Sequence, residues 1–467
     1  MTAPAIPLPA SAGLPPGPRS FAAARWLRRL RVDPLSTFED LAATFGDVSA
    51  IHLRGSIVAV RGAEGAHRVL VSGQDHYVKG RTFELFRPVL GMGLVTSDGD
   101  QWRTSRRIVQ PLFAKRHLGV YADHMAAAAA QALEHWDERW SDGRAILLDD
   151  EILHIGLDTV SRALVSGDLD AENARIGTAM GGALNELGFL VGDPRSIITQ
   201  GLTGRDMQRS ARFVSPRRWK RYDGFASTIR DVFGEVVDRR FALGQGDRDD
   251  LLRLLMESED PDTGERLSRA QVDDELRTFV AAGHETTAHG LTWMLYLLAA
   301  NPDARARVER ELDDVLGGAA PTAEELPYFT ACFQEAMRLY PPAWVIPRTA
   351  VQDDVVGGCR IPKGTDVFVS VWATHRDPAV YPDPEVFDPA RWLGDAPKGR
   401  PRFSYLPFGG GRRACVGQGF AMLNARILGA MVMQRYRFER VGDRPVPLLT
   451  SITLRADGGV PMTAHRR

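Results

Sequence analysis

The sequence predicts a mainly α-helical protein with small β-sheets. Helical periodicity of apolar residues covers most of the 467 residues, and one helical pattern, over 268–299, is far longer than the rest. Alternating, strand-like runs are few and short. The chain is 44% hydrophobic with a net charge of −1, too polar for a membrane protein and too apolar for a disordered one. A charge near zero gives no ground for a nucleic-acid partner. The three cysteines, Cys332, Cys359 and Cys415, are an odd and sparse set. That argues against a disulfide framework and for a reducing compartment, so a cytoplasmic location is expected.

Along the chain, residues 1–19 are rich in Pro, Ala and Gly and are expected to form a flexible arm, with 20–467 as a single domain. The N-terminus has no charged-then-apolar signal and no run of about 18 apolar residues, so no transmembrane anchor is expected. Helices are expected over 35–45, 63–72, 99–116, 119–140, 150–165, 171–190, 216–243, 248–257, 268–299, 302–316, 328–339 and 415–436. The alanine run Ala126 to Ala130 belongs inside one of them, because alanine is the best helix former. Strands are expected at Val48 to Leu53 and Ser56 to Arg61, joined by a hairpin turn at Arg54-Gly55, at Asp366 to Val371, and as a pair near Leu448 to Leu454 and Val460 to Thr463. Residues 193–215 read as a mobile loop.

The long helix opens on Ser268 and Gln271, a capping-box pattern, and stops at Asn301-Pro302. Its middle reads Ala281-Ala282-Gly283-His284-Glu285-Thr286-Thr287. Glycine there costs about 1 kcal/mol against alanine. Small residues at that point would let a flat cofactor or O₂ approach the backbone, or would simply permit close helix packing. Thr286 can turn its hydroxyl to a preceding carbonyl and loosen the helix. Glu285 and Thr286 place an acid beside a hydroxyl. A zinc site is excluded: His289 follows His284 by five residues, about 140° round the helix, so both cannot bind one metal.

The run Phe408-Gly409-Gly410-Gly411-Arg412-Arg413-Ala414-Cys415-Val416-Gly417 sets one cysteine in a glycine-rich loop just before a helical pattern. The positive end of the helix favours a thiolate there, and a lone thiolate suits a single axial bond to iron. The loop alone would also suit an ordinary turn with a small buried hydrophobe. The full pattern Phe-x-x-Gly-x-Arg-x-Cys-x-Gly is more specific, and with it the chain resembles the cytochrome P450 family over about residues 20 to 465. Ala282 to Thr287 matches that family's oxygen-activation segment at every position.

The resemblance implies a triangular helical body around a buried haem, with a small β-rich region. Haem b would be the cofactor and Cys415 its axial iron ligand, with Phe408, Gly409 and Gly417 in the cysteine loop and Ala282 and Gly283 against the cofactor. Thr286 and Glu285 would carry the proton chemistry. Trp102 and Arg106, on a Trp-x-x-x-Arg pattern, with Arg348 and Arg413, would hold the haem propionates. Many bacterial relatives have His where Trp102 stands, which points to a subgroup nearer the microsomal type. Glu335 and Arg338, a Glu-x-x-Arg pair on a helix with apolar flanks, would join Arg391 as a structural cluster. Phe83, Phe86, Phe279, Val345, Ile346 and Ile452 would line an apolar substrate pocket, with 171–215 as its cover.

The function so implied is a monooxygenase that inserts one atom of O₂ into a lipophilic small molecule, by C–H hydroxylation or epoxidation. Electrons would come from a separate ferredoxin or flavodoxin with its reductase, drawn to a basic patch of Arg103, Arg106, Arg107, Lys115 and Arg116. Two other readings are a haem-thiolate peroxygenase or isomerase, which often lacks the acid and hydroxyl pair kept here, and a non-catalytic haem sensor.

Overall fold

A computed structural model describes residues 12–52, 56–140, 142–193, 195–196, 199, 206–243, 249–321 and 325–467. The expected turn at Arg54-Gly55 and most of the N-terminal arm lie outside these residues.

The chain divides into two compact units. One comprises Met1–Arg81, Ala343–Val386 and Lys398–Cys415. It is built on a five-stranded mixed sheet in the order Val48–His52, Ser56–Val60, Asp366–Ser370, Val345–Ala350, Tyr77–Lys79. Alternation along the strands buries both faces. Val58, Val60, Val367 and Val369 join one apolar cluster. Ile51, Ala59 and Phe368 pack instead with Phe38 and Leu41 of the helix Pro34–Phe45 and with Trp26 of the helix Ser20–Val32. The Asp33 carboxylate accepts from Ser36 N at 3.1 Å, and Pro34 occupies the first turn, which together start the Pro34–Phe45 helix. The helix Ser20–Val32 was not legible in the sequence because only Ala23 of it is buried. It leans on the sheet unit through Trp26, whose ring meets Phe45 edge-on at 5.9 Å. The strands Tyr77–Lys79 and Val345–Ala350 were also missed; each is defined by its partner (Tyr77 opposite Ala350, Lys79 opposite Arg348) rather than by its own pattern.

The other unit comprises Thr82–Pro342, Phe387–Pro397 and Val416–Arg467. Its axis is the helix Arg269–Ala300, 32 residues and so about 48 Å long. The capping box is present, with Gln271 N donating to Ser268 Oγ and Ser268 N donating to Gln271 Oε1 at 2.9 Å. The helix Leu148–Val165 packs on it closely because Gly156 sits against Ala288, and the helix Pro327–Leu339 because Gly290 sits against Phe333. The alanine run lies inside the helix Lys115–Arg139, as expected.

Three readings of this unit are corrected. The helix predicted over 99–116 ends at Val109, passes through a tight turn at Gln110–Phe113 containing Pro111, and resumes at Lys115. Part of the expected loop 193–215 is a helix, Met207–Val214, started by Asp206 accepting from Arg209 N at 2.8 Å. The C-terminal strands do not pair with each other as one hairpin. Leu448–Thr450 pairs with Leu454–Ala456, while Pro461–Arg466 lies between Arg144–Leu147 and Tyr436–Arg440.

Candidate active site

The cysteine loop is fixed by its backbone. Gly409 and Gly411 have φ of +68° and +69°, a region that side-chain-bearing residues rarely adopt. A Cβ on Gly411 would run into the carbonyl oxygen of Leu70, so the chain passes there without room for a side chain. Cys415 N donates to Phe408 O at 2.9 Å, closing the loop on itself. Upstream, Leu406 N donates to Nε2 of the buried His375 at 2.7 Å, and the His375 ring stacks on Tyr405 at 5.1 Å. Sequence reasoning gave no hint of His375, because its role depends on a contact 31 residues away. Arg412 turns outward to Asp75 (2.8 Å), while Arg413 is half-buried.

Cys415 is the one cysteine of the three that is exposed. Burial pushes the thiols of Cys332 and Cys359 up, toward the protonated form. Arg348, in the strand Val345–Ala350, is buried and donates to Pro347 O at 2.9 Å. Ile346 lies beside the cysteine loop, its Cδ1 3.7 Å from where a Cβ of Gly409 would stand, and Val345 is half-buried on the same strand.

In the helical unit, the helix Arg269–Ala300 is buried at every position from Leu276 to Leu298 except Ala281, Ala282, Gly283 and Thr286. These four make a window of small side chains in an otherwise packed rod. Thr286 Oγ1 donates to Ala282 O at 2.7 Å. The expected back-bond forms, but the α-helix continues unbroken through it, so side-chain size rather than unwinding opens the window. Gly283 points toward Val160, where a Cβ would meet the methyls at an ordinary 3.6 Å. Glu285 is buried, and its Oε2 accepts from Thr453 Oγ1 at 2.8 Å, a partner the sequence did not suggest. His284 donates through Nε2 to Leu153 O at 3.0 Å and leaves Nδ1 without a partner among the described residues. Burial holds both His284 and His289 down to about 4, well below the ordinary imidazole value, so both are neutral. They point to different neighbours, and no cluster of metal-ligating side chains occurs among the described residues.

Phe279 meets Phe113 edge-on at 5.4 Å, and Phe83 stacks on Phe86 at 5.3 Å. Phe279, Phe86, Ala281 and Ile452 share one apolar cluster. Trp102 is buried on the helix Gly99–Val109, and Arg106 one turn later is half-buried and donates to Gln110 Oε1 at 3.0 Å. Arg103 and Arg107 of the expected basic patch are paired, with Asp100 and Asp260 respectively. The Arg107 guanidinium holds the Asp260 carboxyl below its usual range. Lys115 and Arg116 remain exposed. Gly417 is the residue before the helix Gln418–Arg435 and sits near Phe113.

The charged cluster is assembled in full. Arg338 donates to both oxygens of Glu335, at 2.9 and 2.8 Å, with both side chains completely buried. Asp388 N (3.0 Å) and Trp392 Nε1 (2.8 Å) donate to the same carboxylate, and Arg391 Nε lies 3.4 Å from it. A buried ion pair is tolerable when its remaining lone pairs are satisfied, as here. The bond of Trp392 to Glu335 joins positions 57 residues apart and has no signature in the local sequence.

In the sheet unit, the exposed sulfur of a loop with no room for side chains suits a flat iron cofactor; in the helical unit, a small-residue window leaves one stretch of a buried helix open. The cytochrome P450 family model matches residues 15–459. Cyclooctatin synthase of Streptomyces melanosporofaciens is 35% identical over 387 residues, covering 82% of this chain and 80% of its own. The putative cytochrome P450 132 of Mycobacterium tuberculosis is 33% identical over 460 residues, covering 90% and 93%. Cyclooctat-9-en-7-ol 5-monooxygenase, also of Streptomyces melanosporofaciens, is 32% identical over 375 residues, covering 79% and 76%. The crystal structure of the cytochrome P450DA heme domain superposes with a TM-score of 0.81 at 26% identity, covering 98% of each chain. The chain belongs to the cytochrome P450 family. It is a P450 monooxygenase, an oxidoreductase with a haem cofactor, and it depends on O₂, an electron donor and a hydrophobic substrate. No helix among the described residues is long and apolar enough to cross a membrane.

Proposed function

We propose that this protein hydroxylates or epoxidises an apolar, ring-containing small molecule of secondary metabolism, with haem b held by Cys415. The observation that carries the reading is that one chain holds both an exposed cysteine in a sterically closed loop and, in its other unit, a small-residue window beside Glu285 and Thr286. The chemistry haem supplies when bound is reductive activation of O₂, one atom going to the substrate and the other to water.

The chain's own residues do the rest. Cys415 holds the iron, and the amides at the start of Gln418–Arg435 favour its anionic form. Phe408, Gly409 and Gly417 shape its loop. Arg348, Arg413, Arg106 and the indole of Trp102 hold the two carboxylates, where arginine forks suit bidentate binding. Ala282 and Gly283 leave space, the Thr286 hydroxyl would turn from Ala282 O to donate at the reacting oxygen, and Glu285 would bring the proton. Glu335, Arg338 and Arg391 fix the helical core. Phe83, Phe86, Phe279 and Ile452 of the helical unit, and Val345 and Ile346 of the sheet unit, are the apolar side chains proposed to meet the substrate. The relative named for oxidation of cyclooctat-9-en-7-ol supports an alicyclic alcohol or hydrocarbon as the substrate class.

An acidic ferredoxin or flavodoxin would deliver electrons, docking on Lys115 and Arg116, since Arg103 and Arg107 are neutralised within the chain. Three cysteines, none in a disulfide, fit a reducing cytoplasm. The test is a library of terpenoid, steroid, fatty-acid and macrolide ligands read by the low-spin to high-spin Soret shift, followed by turnover. Thr286→Ala should keep ligand binding and lower product formed per reductant several-fold. Fully coupled turnover in that variant would remove the proton role of Thr286.

A further inference from the structure

Glu285 and Thr286 stand side by side in sequence, yet neither is bonded to the other. The Thr286 hydroxyl is engaged by Ala282 O, and the Glu285 carboxylate accepts from Thr453 at 2.8 Å. Thr453 lies at the end of the turn between Leu448–Thr450 and Leu454–Ala456. Two backbone bonds hold that turn in place: Ser451 N donates to Thr453 O at 3.2 Å, and Leu454 N donates to Pro342 O at 2.9 Å. Both side chains are buried, at 6% exposure for Glu285 and 7% for Thr453. A β-branched residue has few side-chain orientations, so the hydroxyl stays aimed at the acid unless the turn itself moves. A buried carboxylate has little water to lean on, and a hydrogen bond to it is correspondingly strong.

We infer that Thr453 is a positioning residue for the monooxygenase reaction. Its hydroxyl holds the Glu285 carboxylate turned away from Thr286, and the acid leaves this contact to pass its proton. The inference rests on the reading of Glu285 as proton carrier. The step would move one proton: Glu285 gives it to the Thr286 oxygen as the Thr286 hydroxyl, released from Ala282 O, gives its own proton to the oxygen leaving as water, and the Glu285 carboxylate returns to Thr453 and takes a new proton from solvent. Around Glu285 and its histidine neighbours lie His284 on the same helix, His154 and Asp149 on Leu148–Val165, and Arg455 on the hairpin. None is altered by the variants below, and His284, held near 4, is neutral throughout the useful range.

The experiment is pH-difference infrared spectroscopy of the haem-loaded protein. The Glu285 carboxyl signal is the one that vanishes in Glu285→Gln. Loss of the hydrogen bond donated by Thr453 should shift that band in Thr453→Val. Thr453→Ser keeps the hydroxyl and should keep the wild-type band. Product formed per reductant should fall several-fold in Thr453→Val and not in Thr453→Ser. An unshifted band in Thr453→Val, or a Thr453→Ser that behaves like Thr453→Val, overturns the inference. Full coupling in Glu285→Gln would overturn the relay reading instead, and the infrared arm separates the two because it needs no turnover.

Discussion

The cysteine loop and the window of the long helix are shaped by opposite means. The loop is held by main chain: two left-handed glycines, a carbonyl of Leu70 that admits no side chain, and amides tied to Phe408 O and His375. The window sits on a regular helix whose backbone is unremarkable, and it is set by side chains: small residues at 281–283, a hydroxyl on Ala282 O, an acid on Thr453. A main-chain device has one conformation and fails when disturbed. A side-chain device rests on hydrogen bonds worth about 1 kcal/mol each and can be tuned. On the roles proposed for them, the metal ligand is held by main chain and the proton carrier by side chains.

Four outcomes test this contrast. Cys415→Ser should fold and yet lose the thiolate-type band of the reduced, CO-bound protein together with all turnover; a retained band assigns the ligand elsewhere. Gly411→Ala should destabilise the protein by at least about 2 kcal/mol in chemical denaturation, from the left-handed backbone and the clash with Leu70 O combined. A near-neutral result would show that the loop is softer than its geometry implies.

The buried helix should show a pH dependence that the loop does not. His284 and His289 are held to about 4 in the folded protein against an ordinary value near 6.5, so the unfolded chain binds more protons between those values. Their contribution to stability is therefore complete above about 6.5 and is lost as pH falls toward 4, by up to about 1.4 kcal/mol per pH unit for each histidine. Urea midpoints across that range should show a slope that His289→Gln reduces by about half; an unchanged slope would place the titration elsewhere. The smallest effect belongs to the loop's outer edge. Arg412 and Asp75 are more than half exposed, so Arg412→Ala should change stability by less than about 1 kcal/mol and leave the absorption spectrum as it was.

Much of this was legible in the chain itself. The long helix and its capping box follow from local periodicity and end signals, and the structure reproduces them within a residue. The Glu335 and Arg338 pair was legible because three-residue spacing on a helix fixes their approach. Cys415 stood out because its neighbours are glycines whose freedom has no use in a plain helix or strand.

What escaped had no local signature. The strands Tyr77–Lys79 and Val345–Ala350 exist because each finds the other, and the helix Ser20–Val32 is held mainly from one side by aromatic contacts. The same holds at the site. Residue type and short-range spacing, together with the family resemblance, singled out Glu285, Thr286, Glu335 and Cys415 as candidates. The bonds of Thr453 to Glu285, Trp392 to Glu335 and His375 to Leu406 N join positions 168, 57 and 31 residues apart, and only packing could bring them within 3 Å. A hydrogen bond needs its partners at a set distance and angle, and over such separations folding alone supplies both.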